Sequence, residues 1–291
     1  MKTIALLFLG LFVSNLAVNI EAANVDTLHQ IFTTAPNPFN YDLQVKILAG
    51  EKPDAELCIC MHGMGSDSTL SEVMKSNPAI PYHIAAFNFP DYGSRHQNIL
   101  KTTFGTFDEI APALFVLKKC IVDGGVDKAH LYGFSAGGGA IINILAVLNS
   151  NSYDKALQKL GLGCAEKQKI LQSIQKGSVI LEVPLRSFDE IADVFGGCEM
   201  RKLAQRARKN GMVPIENIKK LQGLSLNCFV YFAYPDDSLG NRDDAEFINR
   251  LRNANEKGKT VAIVGKDAGH TTYHPELWTA FKKSIVNPQK K

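Results

Sequence analysis

The run Leu131-Tyr132-Gly133-Phe134-Ser135-Ala136-Gly137-Gly138-Gly139 sets a serine between two glycines, where a short apolar strand gives way to an apolar helix. A serine on so sharp a turn sits near a strained backbone conformation. Side chains at positions 133 and 137 would collide with the neighbouring strand and helix, so the Gly-x-Ser-x-Gly spacing answers a steric demand. Residues 128–132 read as the strand and 140–148 as the helix, the context in which such a serine presents its hydroxyl as a nucleophile. A hydroxyl is a weak nucleophile near neutral pH. It needs an imidazole to take its proton and a carboxylate to orient and charge-stabilise that imidazole.

Three loops at the ends of expected strands carry the complementary groups. His62-Gly63-Met64-Gly65 follows the strand 57–61, and its small residues let backbone N–H groups approach a ligand. With the N–H of Ala136, that of Met64 would form an oxyanion hole. Tyr234-Pro235-Asp236-Asp237-Ser238-Leu239 follows the strand 228–233. Lys266-Asp267-Ala268-Gly269-His270 follows the strand 260–264. His270 and one of the two aspartates of the middle loop supply imidazole and carboxylate; Asp267 is too close to His270 in sequence. His62 reads as a structural residue of its loop, His83 and His130 as packed strand residues, and Arg95 and His96 as solvated loop. His270 and His274 stand four apart, but no glutamate at the adjacent position completes a zinc-binding helix, so no metal site is expected. Ser68 occupies the place of the third glycine in a nucleotide-binding reading of Gly63-Met64-Gly65, which argues against that reading.

The elements that must position these groups alternate. Strands are expected at 43–48, 57–61, 83–89, 178–185, 228–233 and 260–264. Helices are expected at 104–122, 156–174 and from 189 to about 221. In the first helix Ile110, Leu114, Leu117 and Ile121 keep the 3.6-residue period, Thr106 with Glu109 has capping-box spacing, and Gly124-Gly125 supplies a left-handed stop. Such alternation implies an α/β fold, a mostly parallel sheet with helices on both faces and ligands at the carboxyl ends of its strands.

The chain here resembles the α/β-hydrolase family over nearly everything after its first segment. The oxyanion loop, Ser135, aspartate and His270 fall in the family's order, and Phe87-Asn88-Phe89-Pro90-Asp91-Tyr92-Gly93 is similar to its strand and glycine-containing turn before the serine. The resemblance implies Ser135 as nucleophile, His270 as general base and acid, and Met64 and Ala136 as oxyanion donors. For the acid it selects Asp237, three residues after the position closing the strand and two before Leu239. Tyr234 stands where the family commonly has glycine, which keeps Asp236 open. Residues 150–222 exceed what the simplest version of the fold needs, and their helical part is expected to cap the serine and select substrates by shape.

Composition bounds the rest. The 291 residues are 45% hydrophobic and 21% charged, enough to bury a large core. The net charge of +3 comes from 32 basic and 29 acidic side chains that are interspersed, which excludes a nucleic-acid footprint. The basic stretch from Arg201 to Lys209 reads as a solvated helix face. Met1-Lys2, the apolar run 4–13 and Ile20-Glu21-Ala22 resemble a secretory signal peptide cleaved after Ala22, too short an apolar run to span a bilayer. The expected mature chain, residues 23–291, is thus exported and without stable membrane insertion. Of the six cysteines, Cys58, Cys60, Cys120 and Cys228 fall in apolar elements and read as free thiols; Cys164 and Cys198 are candidates for a bridge. The expectation is a secreted serine hydrolase acting on small or medium carboxylic esters, without metal or organic cofactor. A peptidase or lipase of the same fold and a non-catalytic binding protein are the alternatives.

Overall fold

The computed structural model describes residues 24–64, 66–69, 81–90, 102–195, 197–234, 236, 244–266, 269–270 and 274–286. The expected leader, Gly65, Asp91 to Gly93, Arg95, His96, Asp237 and Asp267 lie outside them. Helix α1 (Val25–Thr34) is followed by strands β1 (Val45–Leu48), β2 (Leu57–Met61) and β3 (His83–Phe87). Helix α2 (Phe107–Leu117) runs into a π-helical turn (Lys118–Asp123). Strand β4 (Ala129–Phe134) leads to α3 (Ala136–Leu148), α4 (Asp154–Lys159), α5 (Cys164–Lys176) and β5 (Val179–Glu182). Next come α6 (Phe188–Phe195), α7 (Cys198–Asn210) and α8 (Pro214–Asn217) with a 3-10 turn (Ile218–Leu221). Strand β6 (Asn227–Tyr234), α9 (Asp244–Ala254), β7 (Lys259–Lys266) and α10 (Pro275–Val286) complete the described elements.

The strands form one sheet in the order β1-β3-β2-β4-β5-β6-β7. Only β1 is antiparallel to its neighbour; every other described pair is parallel, as the alternation of elements required. Strands buried on both faces read as continuous apolar runs, and β2 and β3 are buried at every residue. Alternate side chains of the strands, among them Cys58, Cys60, Tyr132, Phe229 and Tyr231, pack under Leu277, Trp278 and Phe281 of α10. The opposite face packs with α1, α2, α3 and α5 in the larger core. Helix α3 is buried all along its length and apolar on every side, so it lies inside the protein.

Local signals mostly act where expected, with one displacement. The Glu109 carboxylate reaches back to the N–H of Gly105 at 2.6 Å, one residue before the expected Thr106. The Thr106 hydroxyl donates instead to the Thr103 carbonyl at 2.6 Å, so it caps a preceding turn and not the helix. Gly125 has the left-handed φ of 72° that stops the π-helical turn. The segment 150–222 divides between two connections. Helix α5 packs on the π-helical turn and on β4 in the crossover to β5, whereas α6 to α8 lie between β5 and β6. Leu203, Ala204 and Ala207 bury one side of α7; Arg201, Lys202, Arg208 and Lys209 face outward, Arg208 pairing with Asp189 at 2.5 Å, whereas Arg206 is half-buried and donates to the Thr102 hydroxyl at 3.4 Å. No helix among the described residues is long and apolar enough to cross a membrane.

Candidate active site

Ser135 has φ 52° and ψ −118°, a conformation that non-glycine residues rarely adopt. The geometry shows why glycines surround it. A Cβ at Gly133 would come within 2.7 Å of the Gly137 backbone, and one at Gly137 within 2.1 Å of the Met61 carbonyl. Both obstacles are backbone, so no side-chain rotation could relieve them. Gly137→Ala is expected to lower the unfolding free energy by about 3 kcal/mol or more, measurable as a shifted denaturant midpoint. Strain at Ser135 is held in place by neighbours on both sides. Its N–H donates to the Glu182 carbonyl at 3.0 Å, and its own carbonyl accepts from Leu185 at 2.9 Å and Gly139 at 3.2 Å.

Serine at the start of a helix ordinarily turns its oxygen toward the first-turn N–H groups. Ser135 makes no such bond. Its Oγ lies 2.9 Å from Nε2 of His270, and Nδ1 of His270 lies 2.9 Å from Oδ2 of Asp236. A carboxylate facing Nδ1 places the ring proton there and leaves Nε2 as the acceptor for the hydroxyl proton. The Asp236 carboxylate is wholly buried and the imidazole nearly so, with the Phe134 ring centred 5.2 Å from it. Ser135, Asp236 and His270 come from the ends of β4, β6 and β7, brought together by the parallel sheet.

The carboxylate on His270 is that of Asp236, the alternative the sequence left open, while the expected Asp237 lies outside the described residues. The reason is in the strand. β6 stays paired through Tyr234 opposite Lys266, and the Tyr234 side chain is 50% exposed, so it does not fill a small-residue position. Ala233, 2% exposed, fills it, and three residues beyond Ala233 is Asp236.

The loop after β2, expected to supply an oxyanion donor, lies against Ser135: a Cβ on Gly63 would stand 3.0 Å from that of Ser135. Met64 packs on the core just beyond, and Ala136 opens α3, where first-turn N–H groups lack an acceptor within the helix. His62 serves the loop structurally. Its Nδ1 donates to the Gly63 carbonyl at 2.9 Å and its Nε2 accepts from the N–H of Phe89 at 3.2 Å, while burial pushes its pKa down and keeps it neutral. His83 accepts from Gly50 at 2.7 Å, and His130 is buried 2.6 Å from Glu56; both hold loops at the far ends of their strands. Cys164 and Cys198 are both free and exposed, so the candidate bridge is not formed. Cys58, Cys60, Cys120 and Cys228 are buried free thiols, that of Cys228 pushed up to about 12 by burial.

Beside the oxyanion loop opens a cavity of about 950 Å³. Its lining includes His62, Phe39, Tyr41 and Asn88 with the carboxylates of Asp42 and Asp67. Ser135, Asp236 and His270 are not among its lining residues. Among the described residues no cluster of His, Cys, Asp and Glu could hold a metal ion.

Sequence reading missed Glu182, which is fully buried and joined to His274 and Tyr132. A glutamate in the middle of the otherwise apolar run 179–185 was its available signal.

No protein-family model matches the chain, and no curated protein sequence matches it. Solved structures do. A lipase/esterase from Lactobacillus plantarum superposes with a TM-score of 0.61 at 13% identity, over 87% of this chain and 96% of that one. A carboxylesterase from Lactobacillus plantarum WCFS1 gives 0.55 at 13% identity, over 84% and 89%. A thermophilic esterase from Thermogutta terrifontis gives 0.52 at 15% identity, over 86% and 87%. With the sheet order above, these similarities show that the chain has the α/β-hydrolase fold.

Proposed function

We propose that this protein is an exported serine hydrolase that cleaves small or medium carboxylic esters through an acyl-enzyme. The observation that carries the reading is the continuous relay of two 2.9 Å contacts from Ser135 Oγ through His270 to Asp236, ending on a nucleophile held at positive φ. A turn that costs this much conformational energy persists where its geometry is used. Likeness of fold to proteins described as esterases supports the same reading.

In the first half-reaction His270 Nε2 takes the Ser135 proton as Oγ attacks the ester carbonyl carbon. The tetrahedral oxyanion is received by the N–H groups of Met64 and Ala136. Asp236 stabilises the imidazolium, which then protonates the departing alcohol as the carbon–oxygen bond to it breaks. Water, deprotonated by the same imidazole, attacks the acyl-serine and regenerates the free hydroxyl. Every proton is accounted for by these groups, so the reaction as written requires no metal or organic cofactor.

Helices α6 and α7, entered from the segment that crosses the serine, act as the cap. The cavity beside the oxyanion loop takes part of the substrate, and its mixture of carboxylates and aromatic rings suits a short or polar group. The testing experiment combines labelling by a fluorophosphonate with a panel of nitrophenyl esters. Ser135 is the expected site of labelling, and kcat/KM is expected to peak at short acyl chains and fall beyond about eight carbons. A continuous apolar channel would instead add roughly 0.8 kcal/mol for each further buried methylene. A rise continuing to sixteen carbons would identify a lipase, amide cleavage without esterase activity a peptidase, and a folded protein that is neither labelled nor active a binding protein.

A further inference from the structure

The buried Glu182 serves neither the relay nor the oxyanion loop, yet it bonds to parts of the chain on both sides of Ser135. Glu182 ends β5, and its main-chain carbonyl accepts the Ser135 N–H. Its carboxylate is fully buried on the sheet face covered by α10. One oxygen, Oε1, accepts the main-chain N–H of His274 at 2.6 Å and its Nδ1–H at 2.9 Å. The other, Oε2, accepts the Tyr132 hydroxyl. His274 in turn opens α10, its carbonyl accepting from Leu277 at 3.1 Å, so the carboxylate lies at that helix's positive end. The Tyr231 ring stacks on the imidazole at 4.0 Å between centroids, in space left by the missing side chain of Gly265. Nε2 of His274 is buried without a hydrogen-bond partner. The Nδ1–H bond to the carboxylate and the stacked Tyr231 ring fix the orientation of that imidazole.

Burying a carboxylate is costly unless its lone pairs are satisfied, and here three donors satisfy them. What the arrangement achieves is placement. His270 precedes His274 by four residues, and its loop is anchored at that end to the same residue whose carbonyl holds the nucleophile. We propose that Glu182 is a positioning residue, a clamp that sets the Ser135–His270 separation by tying the base-bearing loop to the nucleophile turn, with His274 as its counterpart. Val183, at φ 43°, turns the chain directly after the clamp so that Leu185 can also bond the Ser135 carbonyl.

The inference rests on the hydrolase reading, so the wild-type protein is first labelled with a fluorophosphonate and assayed on nitrophenyl acetate. Glu182→Leu is then expected to lower kcat by about 10²-fold, the scale of a misplacement near 1 Å, and His274→Ala, which keeps its main-chain N–H on the carboxylate, by about 10-fold, with KM little changed in either. Combining the two should lower kcat no further than Glu182→Leu alone, because that substitution already removes both bonds to residue 274, of which His274→Ala removes only the one from Nδ1. Glu182→Gln keeps an oxygen for the His274 N–H and should recover part of the loss. A general loss of stability would produce neither that split nor that non-additivity at temperatures where circular dichroism shows the variants folded. Full kcat in folded Glu182→Leu overturns the clamp; should that variant not fold, full kcat in His274→Ala overturns it instead. Wild-type protein that is neither labelled nor active removes the hydrolase reading and the clamp with it, whereas an active wild type with unimpaired variants removes the clamp alone.

Discussion

Ser135→Ala is expected to abolish fluorophosphonate labelling and to lower kcat on short nitrophenyl esters by about 10⁵-fold or more, while far-UV circular dichroism stays that of the wild type. The magnitude follows from removing the atom that forms the acyl bond; what remains is catalysis by the oxyanion donors and by binding. The fold should survive because the neighbours of Ser135 hold its backbone, through Glu182, Leu185 and Gly139, and its hydroxyl caps no helix. Ser135→Gly separates strain from chemistry. It should be as inactive as the alanine variant yet more stable than it by about 1 kcal/mol, since glycine adopts φ 52° without steric cost. Labelling at another serine, or ester turnover undiminished in the alanine variant, would refute the nucleophile assignment.

Asp236→Asn should lower kcat by about 10⁴-fold with KM nearly unchanged. An amide can present an N–H to Nδ1 and so hold the wrong tautomer, leaving Nε2 protonated and unable to accept the Ser135 proton. Because the Asp236 side chain is fully buried, the substitution also removes a charge that solvent cannot replace. Asp237→Asn is the internal control and should retain most of the activity. A larger loss in Asp237→Asn than in Asp236→Asn would reassign the acid.

That pair of neighbouring aspartates marks the boundary between what was legible and what was not. Counting along the chain from the end of β6 depends on which residue closes the strand, and the counting rule expected a small one at 234. The sheet resolved it through the exposed Tyr234 and the buried Ala233, a distinction that belongs to facing and cannot be read from residue order. The cysteines teach the same lesson. Glycine-preceded Cys164 and Cys198 looked alike in sequence, yet each begins a separate helix with its thiol free.

Residue order was enough to read the alternation of strands and helices, the glycine-flanked turn, and the serine and imidazole that the fold brings to 2.9 Å of each other. Each of these rests on a local rule: apolar periodicity, the steric demand of a tight turn, and the small number of side chains able to do proton transfer. Tertiary structure alone decided which carboxylate meets His270, that Glu109 reaches Gly105 rather than Thr106, and that Glu182 gathers Tyr132 and His274 around one buried charge. These are contacts whose outcome turns on an ångström or on one step of strand facing. Such quantities are set by how the sheet and its helices pack, and no spacing along the chain encodes them.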